Sequence, residues 1–354
     1  MTDIARVSEV SRLYRARGGR EAGGRFRAVD GVSFTIPAGE TLGLVGESGS
    51  GKSTVGRVLI GMEKPDEGVV RFEGEDISRF SARRRKQFLR DVSMVFQDPF
   101  SALDPRWTIQ RIIAEPLTIT GDFTAQVRRE KVLTALRHVG LGAEHLGRRP
   151  REFSGGQRQR IAIARALVSE PKLIVCDESV SALDVSTQAQ VLGLLKELQD
   201  RLGVSYLFIS HDLHVVRRVS ERIAVMYLGR IVEEGPAKRL VDQPLHPYTA
   251  ALVSAAPIPD PARARANRRI ILSGVQPSVV DPPSGCMFRT RCPLAMDICS
   301  RERPAWRTVA DGRRVACHLH GRDGAANGML DVAAMMRSAT RRDTGQQTKE
   351  KAST

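Results

Sequence analysis

The sequence predicts an α/β fold built on a doubly wound parallel sheet, and three observations predict it. Thr41 to Val45 is a short apolar run that leads into the glycine-rich stretch Gly46-Glu47-Ser48-Gly49-Ser50-Gly51-Lys52-Ser53-Thr54 and then into a helical run to Ile60. Leu173-Ile174-Val175-Cys176 and the stretch from Tyr206 to Ser210 are continuous apolar runs, as expected of strands buried on both faces. Stretches of helical periodicity lie between these runs, so strands and helices alternate.

Gly46, Gly51, Lys52 and Ser53 stand at the G-x-x-x-x-G-K-[ST] spacing of a phosphate-binding loop. A triphosphate needs several backbone N–H donors turned inward, closer than a Cβ would allow. The following helix adds its own unpaired N–H groups and partial positive charge. Lys52 is placed to neutralise charge at the β- and γ-phosphates, and the Ser53 hydroxyl to hold Mg²⁺. The loop specifies a nucleoside triphosphate and says nothing of what its energy drives.

The first forty residues read as strands around a flexible insert at 15–25, with Ala28 to Ile36 a strand closed by Pro37-Ala38-Gly39. The helix after the loop gathers Val55, Val58 and Leu59 on one face and stops at Gly61. Residues 67–78 read as a hairpin turning at Glu73-Gly74, and Met94-Val95-Phe96 as a short strand ending at Gln97-Asp98-Pro99. From there to about Ser154 the pattern is helical. Ser154-Gly155-Gly156-Gln157 then opens a helix from Arg158 to Val168, closed by Pro171. Thr187 to Leu202 is amphipathic, with Val191, Leu194, Leu195, Leu198 and Leu202 on one stripe. After about residue 240 periodicity fades, and Pro244, Pro247, Pro257, Pro259, Pro261, Pro277, Pro282 and Pro283 mark a separate small unit. The expected division is a domain at 1–240 with a helical part at about 98–158, an extension at 241–320, and a disordered tail at 321–354.

With 354 residues the chain holds one large or two modest domains. Its net charge of +15 is dispersed over short clusters such as Arg83-Arg84-Arg85-Lys86 and Arg341-Arg342, without the interleaved aromatics of a single-strand nucleic-acid platform. No apolar run approaches the roughly 18 residues a membrane span needs. Met1-Thr2-Asp3 lacks the basic start and apolar core of a secretory signal, so a cytosolic chain is expected, with any membrane role carried by partners. Of five cysteines, Cys176 lies in an apolar run and reads as a buried thiol. Cys286, Cys292, Cys299 and Cys317 cluster late in the chain, which in a cytosolic protein points to metal before disulfides.

A phosphate loop needs an acidic partner strand. Asp177-Glu178 follows the apolar run 173–176, so both carboxylates emerge at a strand's carboxyl end, where α/β folds bind ligands. Asp177 is placed to hold Mg²⁺ through its water shell and Glu178 to act as general base for the attacking water. His211, ending the run 206–210, offers a donor to a γ-phosphate oxygen, and Gln97 can reach metal or water by hydrogen bond.

Gly46 to Thr54, Gln97, Phe153-Ser154-Gly155-Gly156-Gln157, Leu173 to Glu178, Ser181-Ala182-Leu183-Asp184 and His211 occur in order and spacing that resemble an ATP-binding cassette (ABC) ATPase over residues 1 to about 320. The resemblance implies a P-loop NTPase (RecA-like) core with a helical subdomain and an antiparallel β subdomain. It also implies a head-to-tail dimer in which Ser154, Gly155, Gly156 and Gln157 of one subunit close over the other's phosphate loop, with Asp184 at the seam. Donors supplied across an interface raise phosphoryl transfer by roughly 10³–10⁵ in arginine-finger systems. The family's adenine-stacking aromatic falls on Tyr14, with Phe26 as the alternative, and its Mg²⁺ site on Ser53, Gln97 and Asp177. Gln97, Lys52, Glu178 and His211 take the catalytic positions. Phe153 stands where Leu is commoner, and Ser179 where Pro is usual.

His246-Pro247-Tyr248-Thr249-Ala250-Ala251-Leu252, Pro283-Ser284-Gly285-Cys286-Met287-Phe288 and Arg291-Cys292-Pro293-Leu294-Ala295 resemble the small irregular Pro/Cys-rich C-terminal extension of oligopeptide/dipeptide (and nickel) importer ATPases, and the core phrases Gly43 to Thr54 and Val95 to Arg106 are similar to the second of the two ATPases such systems use. This implies ATP and Mg²⁺ as ligands. It also implies a sister ATPase in a heterodimer, two membrane permeases, an extracytoplasmic solute-binding protein, and a peripheral place at the cytoplasmic face of the membrane. The cysteines, spaced C-x₅-C-x₆-C-x₁₇-C, suit a [4Fe–4S] cluster, as some family members carry, or Zn²⁺, or remain free thiols, with His318 and His320 as alternative ligands. Two rival readings remain. One is a soluble cassette ATPase acting on nucleic acid, which the single cassette and the lack of a long coiled-coil insert disfavour. The other is an inactive regulatory module, which intact Lys52, Asp177 and Glu178 disfavour.

Overall fold

Two β-sheets and the helices around them carry the fold in this computed structural model, which describes residues 2–15, 24–98, 102–121, 123–255, 270–272, 274–309, 311–321 and 331–336. The antiparallel sheet is ordered β2-β1-β4-β5, from β1 (Asp3–Arg15), β2 (Arg25–Pro37), β4 (Glu67–Phe72) and β5 (Glu75–Asp76). The larger sheet is ordered β11-β12-β10-β9-β3-β8-β7-β6. Its parallel part comprises β3 (Thr41–Val45), β6 (Val92–Val95), β7 (Leu173–Asp177), β8 (Ser205–Ser210) and β9 (Arg222–Tyr227). β10 (Arg230–Pro236), β11 (Arg307–Thr308) and β12 (Arg314–Val315) extend it antiparallel, so the C-terminal segment adds strands to the cassette's own sheet.

The helices are α1 (Lys52–Leu59), α2 (Ala82–Asp91), α3 (Ile109–Thr120), α4 (Ala125–His138), α5 (Gly155–Leu167), α6 (Val185–Leu202), α7 (Leu213–Val219), α8 (Ala237–Asp242), α9 (Pro247–Ala255) and α10 (Ile298–Arg301). Strand alternation divides the interior between two cores. Ile174, Cys176, Tyr206 and Phe208 face the one shared with α3 to α7, and Leu173, Val175, Leu207 and Ile209 face the one shared with α1 and the antiparallel sheet. A strand covered on both faces must be apolar at every position, hence the unbroken runs in the sequence.

Several boundaries differ from the sequence reading. β6 ends at Val95, leaving Phe96 outside and 39% exposed. The hairpin turns at Glu73 and Gly74 as expected, both at positive φ, but residues 77–79 form a 3₁₀ turn instead of strand. α5 starts at Gly155 and α6 at Val185, both earlier than read, because Ser154 and Asp184 act as N-caps. Leu202 leaves the buried stripe of α6 and is 42% exposed, while Leu192 joins it. Residues 331–336 form a helical turn with Val332 and Met336 buried against Ala250, Ala251 and Ile270, where no core pattern was expected. Residues 322–330 and 337–354 of that tail, residues 16–23 of the insert, Pro99, Pro257, Pro259 and Pro261 lie outside the described residues. Among the described residues no helix is long and apolar enough to cross a membrane.

Candidate active site

Strand register assembles the site. Val45 pairs with Ser210, Asp177 with Ile209 and Val95 with Cys176. Gly46, His211, Glu178 and, one position further on, Gln97 therefore emerge in a row at the carboxyl ends of parallel strands. Gln97, Glu178 and His211 border a cavity of about 670 Å³ whose wall also includes Ala28, Glu47 to Gly49, Gly51 to Thr54 and Leu252.

The loop is packed too closely for side chains at its two ends. A Cβ on Gly46 would lie 2.1 Å from the Met226 carbonyl oxygen. One on Gly51, at φ 100°, would lie 2.2 Å from that of Ala28. Lys52 is 4% exposed, and its Nζ donates to the carbonyls of Gly46 (2.7 Å) and Glu47 (2.9 Å), folding the loop over its own side chain. Burial lowers the Lys52 pKa, opposed by the charges of Glu178, Asp177 and Glu47. Ser53 Oγ donates to Asp177 Oδ1 at 2.9 Å, and burial raises the Asp177 carboxyl.

Glu178 is the meeting point. Its Oε2 accepts from Gln97 Nε2 at 3.1 Å and lies 3.5 Å from His211 Nδ1, and its Oε1 lies 4.0 Å from Lys52 Nζ. Its backbone is left-handed, at φ 45°, with the N–H donating to the Ile209 carbonyl at 3.0 Å. The structure thus brings together Lys52, Ser53, Gln97, Asp177, Glu178 and His211.

Ser154 to Gln157 lie elsewhere, at the exposed start of α5. Ser154 Oγ accepts from the Gln157 N–H (3.3 Å) while Gln157 Oε1 accepts from the Ser154 N–H (3.0 Å). Gly156 abuts α6: a Cβ there would lie 2.5 Å from Thr187 Cγ2. Asp184 caps α6, accepting from the hydroxyls of Ser186 (2.5 Å) and Thr187 (2.6 Å) and from the Thr187 N–H (2.9 Å), which hold its carboxyl well below the usual range. Beside it Val185 is 82% exposed. Tyr14 and Phe26 are cross-strand neighbours with ring centroids 6.1 Å apart. The Tyr14 hydroxyl donates to Glu63 and is within reach of Thr54, the last loop residue.

Sequence reasoning missed two contributors from the extension. The Tyr248 hydroxyl accepts the Glu47 N–H at 2.8 Å, and Arg291 grips the Glu47 carboxylate through Nη1 and Nη2 at 2.7 and 3.0 Å. Partners 201 and 244 positions apart leave no local pattern to read.

The four late cysteines do become neighbours, with the Cys286 N–H donating to the Cys299 carbonyl at 2.8 Å. Yet among the described residues no group of three or more His, Cys, Asp and Glu side chains is placed to hold a metal ion. Burial pushes the Cys292 and Cys317 thiols up to about 12 and raises Cys286. The His318 and His320 rings lie 3.0 and 2.9 Å from the Glu302 and Leu245 carbonyls. Neither the iron–sulfur nor the zinc expectation finds support in this arrangement. Cys176 is the buried thiol the sequence indicated, at 0% exposure and also pushed up to about 12 by burial.

A phosphate loop, a neighbouring strand ending in two carboxylates, and a polar row along the same sheet edge define a nucleoside-triphosphate-binding cassette. Residues 29–181 match the ABC transporter family, and residues 232–299 match the oligopeptide/dipeptide transporter C-terminal region. The chain is 50% identical over 320 residues to the oligopeptide transport ATP-binding protein AppF of Bacillus subtilis, covering 90% of this chain and 97% of that protein. It is 48% identical to the di/tripeptide transport ATP-binding protein DppF of Pseudomonas aeruginosa, over 89% of this chain and 95% of the relative. Among solved structures it resembles the ATP-binding cassette MJ0796, a dimer bound to ADP and phosphate after hydrolysis, with TM-score 0.58 and 30% identity over 66% of this chain and 98% of that one. The chain belongs to the ATP-binding proteins of the ABC transporter family, in the oligopeptide/dipeptide group.

Proposed function

We propose that this chain is the ATP-hydrolysing subunit of an ABC importer, coupling ATP binding and hydrolysis at a dimer interface to uptake of peptides or a related small solute across the cytoplasmic membrane. The observation that carries the reading is the convergence of Lys52, Ser53, Gln97, Glu178 and His211 on one cavity, with Asp177 bonded to Ser53 and with Ser154 exposed at the start of α5. Backbone N–H groups of residues 49–54 and Lys52 cradle the phosphates. Glu178 accepts the proton of the attacking water, Gln97 orients it, and His211 donates to the γ-phosphate. Tyr14 stacks on adenine, with Phe26 beside it.

Mg²⁺ fits the oxygen donors present. The Ser53 hydroxyl and Asp177 carboxylate stand 2.9 Å apart, with the Gln97 amide nearby. Such sites give Mg²⁺ one or two protein groups and leave the rest to phosphate and water. Bound there, it would neutralise developing charge on the β- and γ-oxygens.

Ser154 to Gln157 and Asp184 serve the partner's loop, so the working unit is a dimer, with a sister ATPase as the second copy. Two permeases and an extracytoplasmic solute-binding protein complete the transporter, and this chain sits peripherally on the cytoplasmic face. Similarity to peptide-transport ATP-binding proteins at about half identity over most of both chains supports the substrate class. The test is uptake of a labelled peptide by vesicles holding the permeases, the sister ATPase and either wild-type chain or Lys52→Ala. Uptake and ATPase activity stimulated by solute-binding protein, both lost in Lys52→Ala, support the reading. ATPase activity stimulated by DNA or RNA instead, with no uptake, refutes it.

A further inference from the structure

Glu47, the second residue of the phosphate loop, has every polar group engaged. Its N–H goes to the Tyr248 hydroxyl (2.8 Å), its carbonyl accepts from Lys52 Nζ (2.9 Å), and its carboxylate holds both Arg291 terminal nitrogens (2.7 and 3.0 Å). Tyr248 and Arg291 come from the C-terminal segment. Tyr248 is fully buried, its ring centroid 4.7 Å from that of Tyr227 and 5.5 Å from that of Phe288. The Arg291 side chain is only 10% exposed. With the Glu47 side chain 26% exposed, this two-pronged guanidinium–carboxylate pair is part-buried and less screened than a fully exposed one. Glu47 also lines the cavity and acts electrostatically on Lys52.

We propose that Arg291 and Tyr248 are positioning residues of the phosphate loop, through which the C-terminal segment sets its ATP affinity. The proposal rests on the reading of the cavity as the ATP site. The loop binds triphosphate best when its N–H groups already point inward, because ordering them on binding subtracts from affinity. Tyr248 and Lys52 hold the backbone of Glu47 from its two peptide groups. Arg291 neutralises the carboxylate. Released from Arg291, that carboxylate can turn toward Lys52, compete with phosphate for the ammonium, and repel the triphosphate.

The test uses the full chain with Mg·ATP, measuring affinity by titration calorimetry, thermal midpoint, and amide exchange over residues 46–54. Arg291→Ala is expected to weaken ATP binding about tenfold, the scale of one lost charge-assisted pair. Arg291→Lys, which keeps the charge without the fork, falls between it and wild type. Tyr248→Phe removes one oxygen from a packed ring and is expected to speed exchange at residues 46–54 while weakening ATP binding by about threefold. Adding Glu47→Gln to Arg291→Ala is expected to recover most of the affinity, since a neutral amide does not compete for Lys52. That rescue distinguishes positioning from mere support of the fold. Wild-type affinity in both Arg291→Ala and Tyr248→Phe overturns the proposal, as does a lowered thermal midpoint whose affinity loss Glu47→Gln fails to recover. Failure of the wild-type chain to bind ATP overturns the site reading itself.

Discussion

Replacing Glu178 with Gln separates hydrolysis from binding. The side chain keeps its size, and Gln97 Nε2, 3.1 Å from Oε2, keeps an oxygen acceptor. Glutamine meets the same left-handed backbone at φ 45°, a cost on the order of 1 kcal/mol that any side chain bears there. Stability is therefore expected to hold. What disappears is one negative charge 4.0 Å from Lys52 Nζ and 3.5 Å from His211 Nδ1. At an effective dielectric near 20 the charge pair with Lys52 corresponds to about 4 kcal/mol before desolvation is subtracted. Asp177 and Glu47 still act on the ammonium, and the same carboxylate repels a γ-phosphate. The opposing changes should leave ATP affinity within about tenfold. Loss of the general base costs roughly 10²–10⁴ in rate, or about 3–5 kcal/mol of barrier. Single-turnover phosphate release in the assembled transporter measures the rate, and ATP retained in the closed dimer measures binding. Turnover within about twofold of wild type would place the base elsewhere, with His211 the next group on the cavity wall.

Two further substitutions probe the partner-facing surface and the extension. Gly156→Ala puts a methyl 2.5 Å from Thr187 Cγ2, so Thr187 must turn from Asp184 Oδ2, its partner at 2.6 Å. The helix gains about 1 kcal/mol of propensity in return. The thermal midpoint should thus stay within about 4 °C, while turnover of the assembled transporter falls more than about tenfold; unchanged turnover would remove this surface from the mechanism. Glu233 is fully buried on β10, accepting the N–H groups of Leu245 (2.9 Å) and His246 (2.8 Å), and burial raises its carboxyl from 4.5 to about 7. A carboxyl raised on folding retains its proton, so its contribution is complete below about pH 4.5 and is lost as pH rises toward about 7. Relative to Glu233→Gln, the wild type should lose about 3 kcal/mol across that window by denaturant unfolding; a flat difference refutes the account.

The candidate site was legible because its parts have local chemistry. Strand residues such as Leu173 to Cys176 are continuous apolar runs, and the residues after them fall at one sheet edge by register alone. The start of α5 was misplaced at Arg158 because Gly155-Gly156 reads as loop. The pairing of Ser154 with Gln157 three residues on is a capping-box signal that locates the true start. Glu47, Tyr248 and Arg291 could not be joined from sequence, since a charge pair spanning 244 positions exists only once the sheet is built. The cysteine expectation gains no support. The four lie near one another, but among the described residues no three ligating side chains are placed to hold a metal ion.

One short, internally bonded turn joins Glu178, the proposed base, to Asp184 at the proposed dimer seam. Six positions carry the chain from Glu178 to Asp184. The Glu178 carbonyl accepts both the Ser181 N–H (3.1 Å) and the Ser181 hydroxyl (2.9 Å), and Leu183 N–H reaches the Val180 carbonyl at 3.3 Å. One end of this turn is fixed to the sheet by the Glu178 N–H on Ile209, the other to α6 by the Asp184 cap. Lys52 and Ser53 belong to a different element, the first turn of α1. On the proposed function, a subunit closing on Asp184 and the exposed Val185 would shift Glu178 relative to Lys52 and Ser53. Such a shift needs no long relay of contacts, only a short, internally bonded turn between interface and base. Dependence of hydrolysis on closure would then follow from that proposal, because the same seven residues carry Glu178 at one end and the proposed partner contact, Asp184, at the other.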